Sequence, residues 1–137
     1  MGIETTFVED PDDLEAWAAA IQPNTKLFYG ETIGNPRNDC LDVSGIANVA
    51  HESGIPLVVD NTVATPYLLN PLRLGADIVV HSMTKFIGGH GNSVGGVIID
   101  GGTFDYGASG RFPNFTDPDP SYHGLCYWPA LGHGAYI

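Results

Sequence analysis

A lysine between hydroxyl residues and glycines is the feature of this sequence best suited to chemistry. Lys85 ends the run His81-Ser82-Met83-Thr84-Lys85, and glycines 88, 89 and 91 follow it. A lysine can act as a base or as a nucleophile that forms a Schiff base. Hydroxyls and free backbone N–H groups beside it can hold a phosphate. Taken alone, such a run is more often a polar surface loop, because lysine side chains are usually exposed.

The segments before Lys85 have the pattern of strands and helices that would position it. Strands are predicted over 5–8, 26–29, 55–60, 77–80 and 93–100. One helix is predicted to follow the acidic run 10–13, another to begin at Asp42 or Ser44, and a short helix or turn to cover 68–74. Strands that alternate with helices indicate parallel βαβ units. We therefore predict an α/β fold with a mostly parallel sheet and flanking helices.

Polar residues follow the predicted strands, where parallel strands bring their carboxyl ends to one edge. Asp60 ends a predicted strand, and Asn35 and Lys85 lie in the loops that follow two others. Ligands of open α/β sheets bind at that edge. A lysine, an acidic partner for a pyridinium nitrogen and phosphate-binding hydroxyls are the requirements of pyridoxal phosphate (PLP). Singly, an aspartate or an Asn-Pro pair at such a place is more often part of a turn.

The composition argues against several classes of function. The 137 residues carry 16 acidic and 5 basic side chains, for a formal net charge of −11. Binding to nucleic acid or to an anionic membrane depends on lysine and arginine, so neither partner is expected. Cys40 and Cys126 are far apart and match no zinc or redox spacing, which favours a reduced, cytoplasmic setting. The histidines also lack metal-like spacing, so no metal site is expected.

Three motifs together resemble a known family. They are Glu31-Thr32-Ile33-Gly34-Asn35-Pro36, Val59-Asp60-Asn61-Thr62-Val63-Ala64-Thr65-Pro66 and His81-Ser82-Met83-Thr84-Lys85. In this order and spacing they are similar to the Cys/Met-metabolism family of PLP enzymes, which has the aspartate-aminotransferase-like fold, called fold type I. The later run Pro118-Asp119-Pro120-Ser121-Tyr122-His123-Gly124-Leu125 resembles the homocysteine-forming branch, O-acetylhomoserine sulfhydrylase. Cystathionine γ-synthase and methionine γ-lyase are the alternatives within the family.

The resemblance implies a role for each motif residue. Lys85 would form the Schiff base with PLP and move protons, and Asp60 would pair with the pyridine nitrogen. Ser82 and Thr84 would bind the cofactor phosphate. Asn35 would lie near the phenolic oxygen of PLP or the substrate carboxylate. The implied reaction is γ-replacement, in which acetate leaves O-acetylhomoserine and sulfide takes its place.

The resemblance also implies that the chain is an internal fragment of a large domain. Residues 1–102 would be βαβ units of the PLP-binding domain, and 103–137 an irregular, loop-rich continuation of it. The C-terminal domain of the family would be absent. The fragment is therefore expected to be inactive alone, and a non-catalytic role as part of an assembly is the alternative of another class. Intact family members are typically tetramers, so a homo-oligomer is expected.

Overall fold

The computed structural model describes residues 2–134 and has four strands with short flanking helices. The strands are β1 (Phe28–Glu31), β2 (Leu57–Asp60), β3 (Ile78–Ser82) and β4 (Gly96–Asp100). The α-helices are α1 (Leu14–Ala19), α2 (Val43–Glu52), α3 (Thr65–Leu68), α4 (Pro113–Thr116) and α5 (Tyr127–Leu131). Short 3₁₀ turns cover Pro71–Leu74, Pro120–Tyr122 and Gly132–Gly134.

The four strands form one sheet in chain order, β1-β2-β3-β4. The first three strands are parallel, and β4 runs antiparallel to β3. The α/β fold with a mostly parallel sheet is therefore confirmed, but the extension of the parallel pattern to 93–100 is wrong. A parallel neighbour needs a long crossover, usually through a helix. Residues 83–95 contain no helix, so the chain returns in the opposite direction.

The core lies between one face of the sheet and the first two helices. Val59 and Ile46 are fully buried there, and Trp17 packs on Phe28 with ring centroids 5.0 Å apart. Alternation along a strand places neighbouring side chains on opposite faces. Ile98, which pairs with Val80, lies on the face opposite to the core residue Val79. Ile98 is 74% exposed, so that face is more open there.

The helix starts follow the predicted caps, whereas the first predicted strand is wrong. The Asp13 carboxylate accepts hydrogen bonds from the first-turn N–H groups of α1, and Asp42 does the same for α2 through Gly45 N. An aspartate in this position satisfies N–H groups that have no partner within the helix. Residues 5–8 form no strand. Phe7 is 85% exposed, and Val8 packs against the core without pairing with a strand, so this short apolar pattern has no sheet neighbour to stabilise it as a strand.

Residues 103–134 pack through aromatic rings rather than through a sheet. Tyr106 lies with its ring centroid 5.2 Å from Phe112 and 5.7 Å from Trp128. Arg111 ties this segment to the rest, because its guanidinium donates hydrogen bonds to the carbonyl oxygens of Ser53, Gln22, Pro23 and Thr25. The segment includes α4, α5 and two of the short 3₁₀ turns, joined by loops. Residues 135–137 of the predicted 103–137 segment lie outside the described residues.

No helix within residues 2–134 has both the length and the apolar character needed to cross a membrane.

Candidate active site

The carboxyl ends of the three parallel strands border one open cleft of about 590 Å³. Small-molecule sites typically measure roughly 300–1,000 Å³. All five residues predicted to form the site line this cleft: Asn35, Asp60, Ser82, Thr84 and Lys85. The sheet therefore brings together side chains that are up to 50 positions apart in the chain. Convergence at one edge was the central expectation from the strand pattern.

Lys85 lies in the tight loop that follows β3. Its Nζ donates a hydrogen bond of 3.2 Å to Ser82 Oγ. The loop closes through the Gly88 N–H, which donates to Met83 O at 2.8 Å. A Cβ atom at Gly88 would lie only 2.6 Å from that oxygen, so this position requires glycine. Lys85 itself is exposed. Its amine is therefore open to solvent and to a ligand in the cleft.

Asp60 ends β2 with both carboxylate oxygens engaged. Oδ1 accepts from the Thr62 backbone N–H at 2.8 Å, and Oδ2 accepts from the Tyr29 hydroxyl at 3.3 Å. Burial, followed by the adjacent Asp60 carboxylate, raises the pKa of Tyr29. The phenol therefore remains protonated and able to donate near neutral pH. Tyr29 was not predicted to belong to the site. Strand alternation indicates on which face of the sheet its side chain lies, but not that Asp60 of the adjacent strand is beside it.

The two hydroxyls predicted to bind phosphate differ in their availability. Ser82 Oγ accepts from Lys85, which leaves its own proton free for a ligand. Thr84 Oγ1 accepts from Gly95 N at 3.0 Å and donates to Gly95 O at 3.2 Å. A hydroxyl carries one proton, so Thr84 must turn away from Gly95 before it can donate to a phosphate.

Asn35 reaches the cleft through the loop after β1. Its backbone N–H donates to Glu31 Oε2 at 2.9 Å, and both residues line the cleft. The Glu31 carboxylate thus holds the loop that presents Asn35. Within residues 2–134 the Asn35 side chain makes no hydrogen bond that would fix it, so its predicted role stays a prediction.

A buried polar network supports the strand ends beneath the cleft. Asn61 is fully buried, and its Oδ1 accepts from Thr32 Oγ1 at 2.9 Å. Its Nδ2 donates to Leu69 O at 2.9 Å, and its backbone oxygen lies 3.1 Å from His81 Nδ1. Buried polar groups stabilise a structure only when they are hydrogen-bonded. The network therefore fixes the backbone that carries Asp60.

The donor set of the cleft fits PLP. Lys85 offers an amine for covalent attachment, Asp60 a carboxylate and Ser82 a hydroxyl with a free proton, and all three face the same cavity. These are the groups that the aldehyde, the ring nitrogen and the phosphate of PLP require.

Comparison with known proteins assigns the family. The model of the family described as "Cys/Met metabolism PLP-dependent enzyme" matches residues 1–118. The chain belongs to this family. It is 57% identical to the O-acetyl-L-homoserine sulfhydrylase of Leptospira meyeri, over 96% of this chain and 29% of that protein. It is 48% identical to the homocysteine/cysteine synthase of Saccharomyces cerevisiae, over 99% of this chain and 31% of that protein.

A solved structure agrees with the fold of this family member. A Campylobacter jejuni protein described as an O-acetylhomoserine (thiol)-lyase matches with a TM-score of 0.81 and 39% identity, over 85% of this chain and 29% of that one. That structure contains N'-pyridoxyl-lysine-5'-monophosphate. The predicted family and the fold type I architecture are thus confirmed. The chain spans less than a third of the length of each of these relatives.

Proposed function

We propose that this chain supplies the lysine and the aspartate of an enzyme that makes homocysteine from O-acetylhomoserine and sulfide. The observation that carries the proposal is the convergence of Lys85, Asp60 and Ser82 on one cleft in a chain of this family. The relatives named O-acetyl-L-homoserine sulfhydrylase support the choice of branch. Cystathionine γ-synthase and methionine γ-lyase remain the alternatives.

Each residue would have a defined task. When bound, PLP supplies an electron sink that stabilises negative charge at the substrate α-carbon. Lys85 would hold the cofactor through Nζ and, once released, move the α-proton. Asp60 would keep a proton on the ring nitrogen, because its negative charge favours the protonated form. Ser82 and Thr84 would donate to the phosphate, and Asn35 would orient the phenolic oxygen or the substrate carboxylate.

The overall exchange balances without any further co-reactant. The bond from the substrate γ-carbon to the acetate oxygen breaks, and a bond from that carbon to sulfur forms. The products are homocysteine and acetate. Lys85 would take the proton from the substrate α-carbon and return it.

A chimera tests the reaction and its branch. This chain would replace the matching stretch of the Leptospira meyeri O-acetyl-L-homoserine sulfhydrylase, to which it is 57% identical. We expect homocysteine from O-acetylhomoserine and sulfide, and a loss of about 100-fold or more in the same chimera with Lys85→Ala. A preference for cysteine over sulfide as acceptor would instead favour cystathionine γ-synthase.

A second candidate is a non-catalytic piece that works only within an assembly. It is supported by the open cleft, by the exposed Lys85 and by Phe86 at its side, which is 66% exposed. The 137 residues by themselves should therefore show little turnover. Robust homocysteine formation by this chain alone would refute that. We also propose that the enzyme is a homo-oligomer in the cytoplasm. Both cysteines are free, which fits a reduced setting.

A further inference from the structure

Thr62 lies between the aspartate and the lysine loop and contacts both. Its backbone N–H donates to Asp60 Oδ1 at 2.8 Å. Its side-chain Oγ1 accepts from the Ser82 backbone N–H, also at 2.8 Å. Both bonds are partly buried, and Thr62 lines the cleft. One residue thus joins the end of β2 to the end of β3.

The Thr62 hydroxyl extends the sheet where the backbone ladder stops. The last backbone bond between the two strands runs from Asn61 N to Val80 O at 2.9 Å. Because backbone groups alternate in direction along a strand, the next β3 N–H that faces β2 belongs to Ser82. The backbone oxygen of Asn61 is already engaged by Thr65 N and lies beside His81. Thr62 Oγ1 replaces the missing carbonyl acceptor.

We infer that Thr62 is a positioning residue that fixes the spacing between the Asp60 carboxylate and the Lys85 amine. The contacts form a continuous path. Asp60 accepts from Thr62, Thr62 accepts from Ser82, and Ser82 Oγ accepts from Lys85 Nζ at 3.2 Å. A rigid ligand must contact the Asp60 carboxylate and the Lys85 amine at the same time. Variation in the distance between these two groups would therefore weaken its binding. This role rests on the proposed PLP site, although the Thr62–Ser82 bond does not.

The substitution Thr62→Val isolates the hydroxyl. Valine has the same branched shape and keeps the backbone N–H that holds Asp60, but it offers no acceptor to Ser82. A partly buried N–H without a partner is costly, so the end of β3 should open more often. We expect the Ser82 amide to exchange its hydrogen about tenfold faster and PLP to bind about tenfold more weakly. Thr62→Ser, which keeps the hydroxyl, should recover most of both.

Thr25 provides the matched control. Its Oγ1 accepts from the Gln22 backbone N–H at the same distance of 2.8 Å, but Thr25 precedes β1 and lies outside the cleft lining. Thr25→Val therefore removes a bond of the same type and length, here a solvent-exposed one, away from the site. It should change neither Ser82 exchange nor PLP binding.

The test combines residue-resolved hydrogen exchange by NMR with PLP titration of the full 137-residue chain. Faster Ser82 exchange and weaker PLP binding in Thr62→Val, recovered in Thr62→Ser, would support the inference. Fast Ser82 exchange in the unaltered chain would overturn it, even if the valine variant failed to fold. Faster exchange with unchanged PLP affinity would also overturn it, by making the bond merely structural. If the unaltered chain binds no PLP while Ser82 still responds, the positioning role fails in this chain and only the bond stands, whereas the proposed function is decided separately by the chimera.

Discussion

Two aspartates lie on neighbouring strands of this sheet, at opposite ends, and their surroundings differ. Asp77 stands just before β3 and is 4% exposed. Its Oδ2 accepts from Leu57 N at 2.7 Å and from His51 Nε2 at 2.8 Å. Asp60 ends β2 and lines the open cleft. Both are aspartates beside an apolar strand, yet only Asp60 faces space that a ligand can fill.

Burial thus separates a structural carboxylate, Asp77, from the carboxylate proposed to bind the cofactor, Asp60. Asp77 is enclosed by groups of its own chain, so its charge stabilises the junction of α2, β2 and β3. Buried charges are tolerated only with such partners. The known contacts of Asp60 come from one backbone N–H and one phenol 3.3 Å away. Its outer side remains available to a cation or to a protonated ring nitrogen.

The largest expected effect concerns Asp77 and stability. Asp77→Ala leaves the buried Leu57 N–H without its acceptor and removes the partner of His51. We expect the free energy of unfolding to fall by about 2–3 kcal/mol. Asp60→Ala should lower it by less than about 1 kcal/mol, because water can reach Asp60's partners. Urea unfolding of the three proteins measures both changes, and equal losses would break the distinction.

The affinity for PLP should depend more on Asp60 than on Asp77, the reverse of their order for stability. Asp60→Asn removes the charge that favours a protonated ring nitrogen, so PLP should bind about 10- to 100-fold more weakly, as for a charge-assisted hydrogen bond. Asp100→Asn is the matched control, because Asp100 also ends a strand and accepts from a loop N–H, that of Gly102, at 2.7 Å. It lies beside Ile78, at the edge away from the cleft. A similar loss in both variants would remove Asp60 from the site.

The smallest expected effects are those on two tyrosines, each paired with an aspartate. The hydrogen bond to Asp119, at 2.8 Å, raises the pKa of Tyr127 to about 12. The pKa of Tyr29 is also raised, first by burial and then by Asp60. A raised phenol pKa contributes stability that is present below the ordinary value, near 10, and is lost as the pH rises through the folded value.

NMR titration of ¹³Cζ-labelled tyrosine can follow both phenols, with Tyr→Phe variants for assignment. Asp119→Asn should lower the pKa of Tyr127 from about 12 towards its ordinary value. Asp60→Asn should lower that of Tyr29 by less, because burial is its first cause. An unchanged Tyr29 pKa in Asp60→Asn would show that the Tyr29–Asp60 contact is absent in solution.

The sequence allowed the strand ends to be predicted but not all of their partners. Asp60 could be identified because an apolar run stops at a carboxylate, and Lys85 because hydroxyls and glycines surround it. Tyr29 and Thr62 were missed as site partners because their contacts depend on strand register. The position of Thr62, two residues beyond Asp60, was the available signal.

The direction of β4 and the exposure of Lys85 do not follow from the residue pattern of the strand or loop itself. The pattern of 93–100 indicates a strand, but strand direction depends on the connection. The absence of a helical pattern between Lys85 and Gly95 was the signal that went unused. Exposure of Lys85 depends on what covers the cleft, which no local pattern encodes.

The most direct test of the proposed PLP site is to find which lysine PLP modifies. The chain has two lysines, Lys26 and Lys85, so it contains its own control. Lys26 lies away from the cleft, where its Nζ donates to Arg111 O and sits 5.7 Å from the Phe112 ring centroid. The chain would be mixed with PLP, reduced with borohydride to trap the covalent link as a stable amine, and mapped by mass spectrometry. We expect labelling at Lys85 that is lost in Lys85→Ala, whereas equal labelling of both lysines, or none at Lys85, would contradict a PLP site at Lys85.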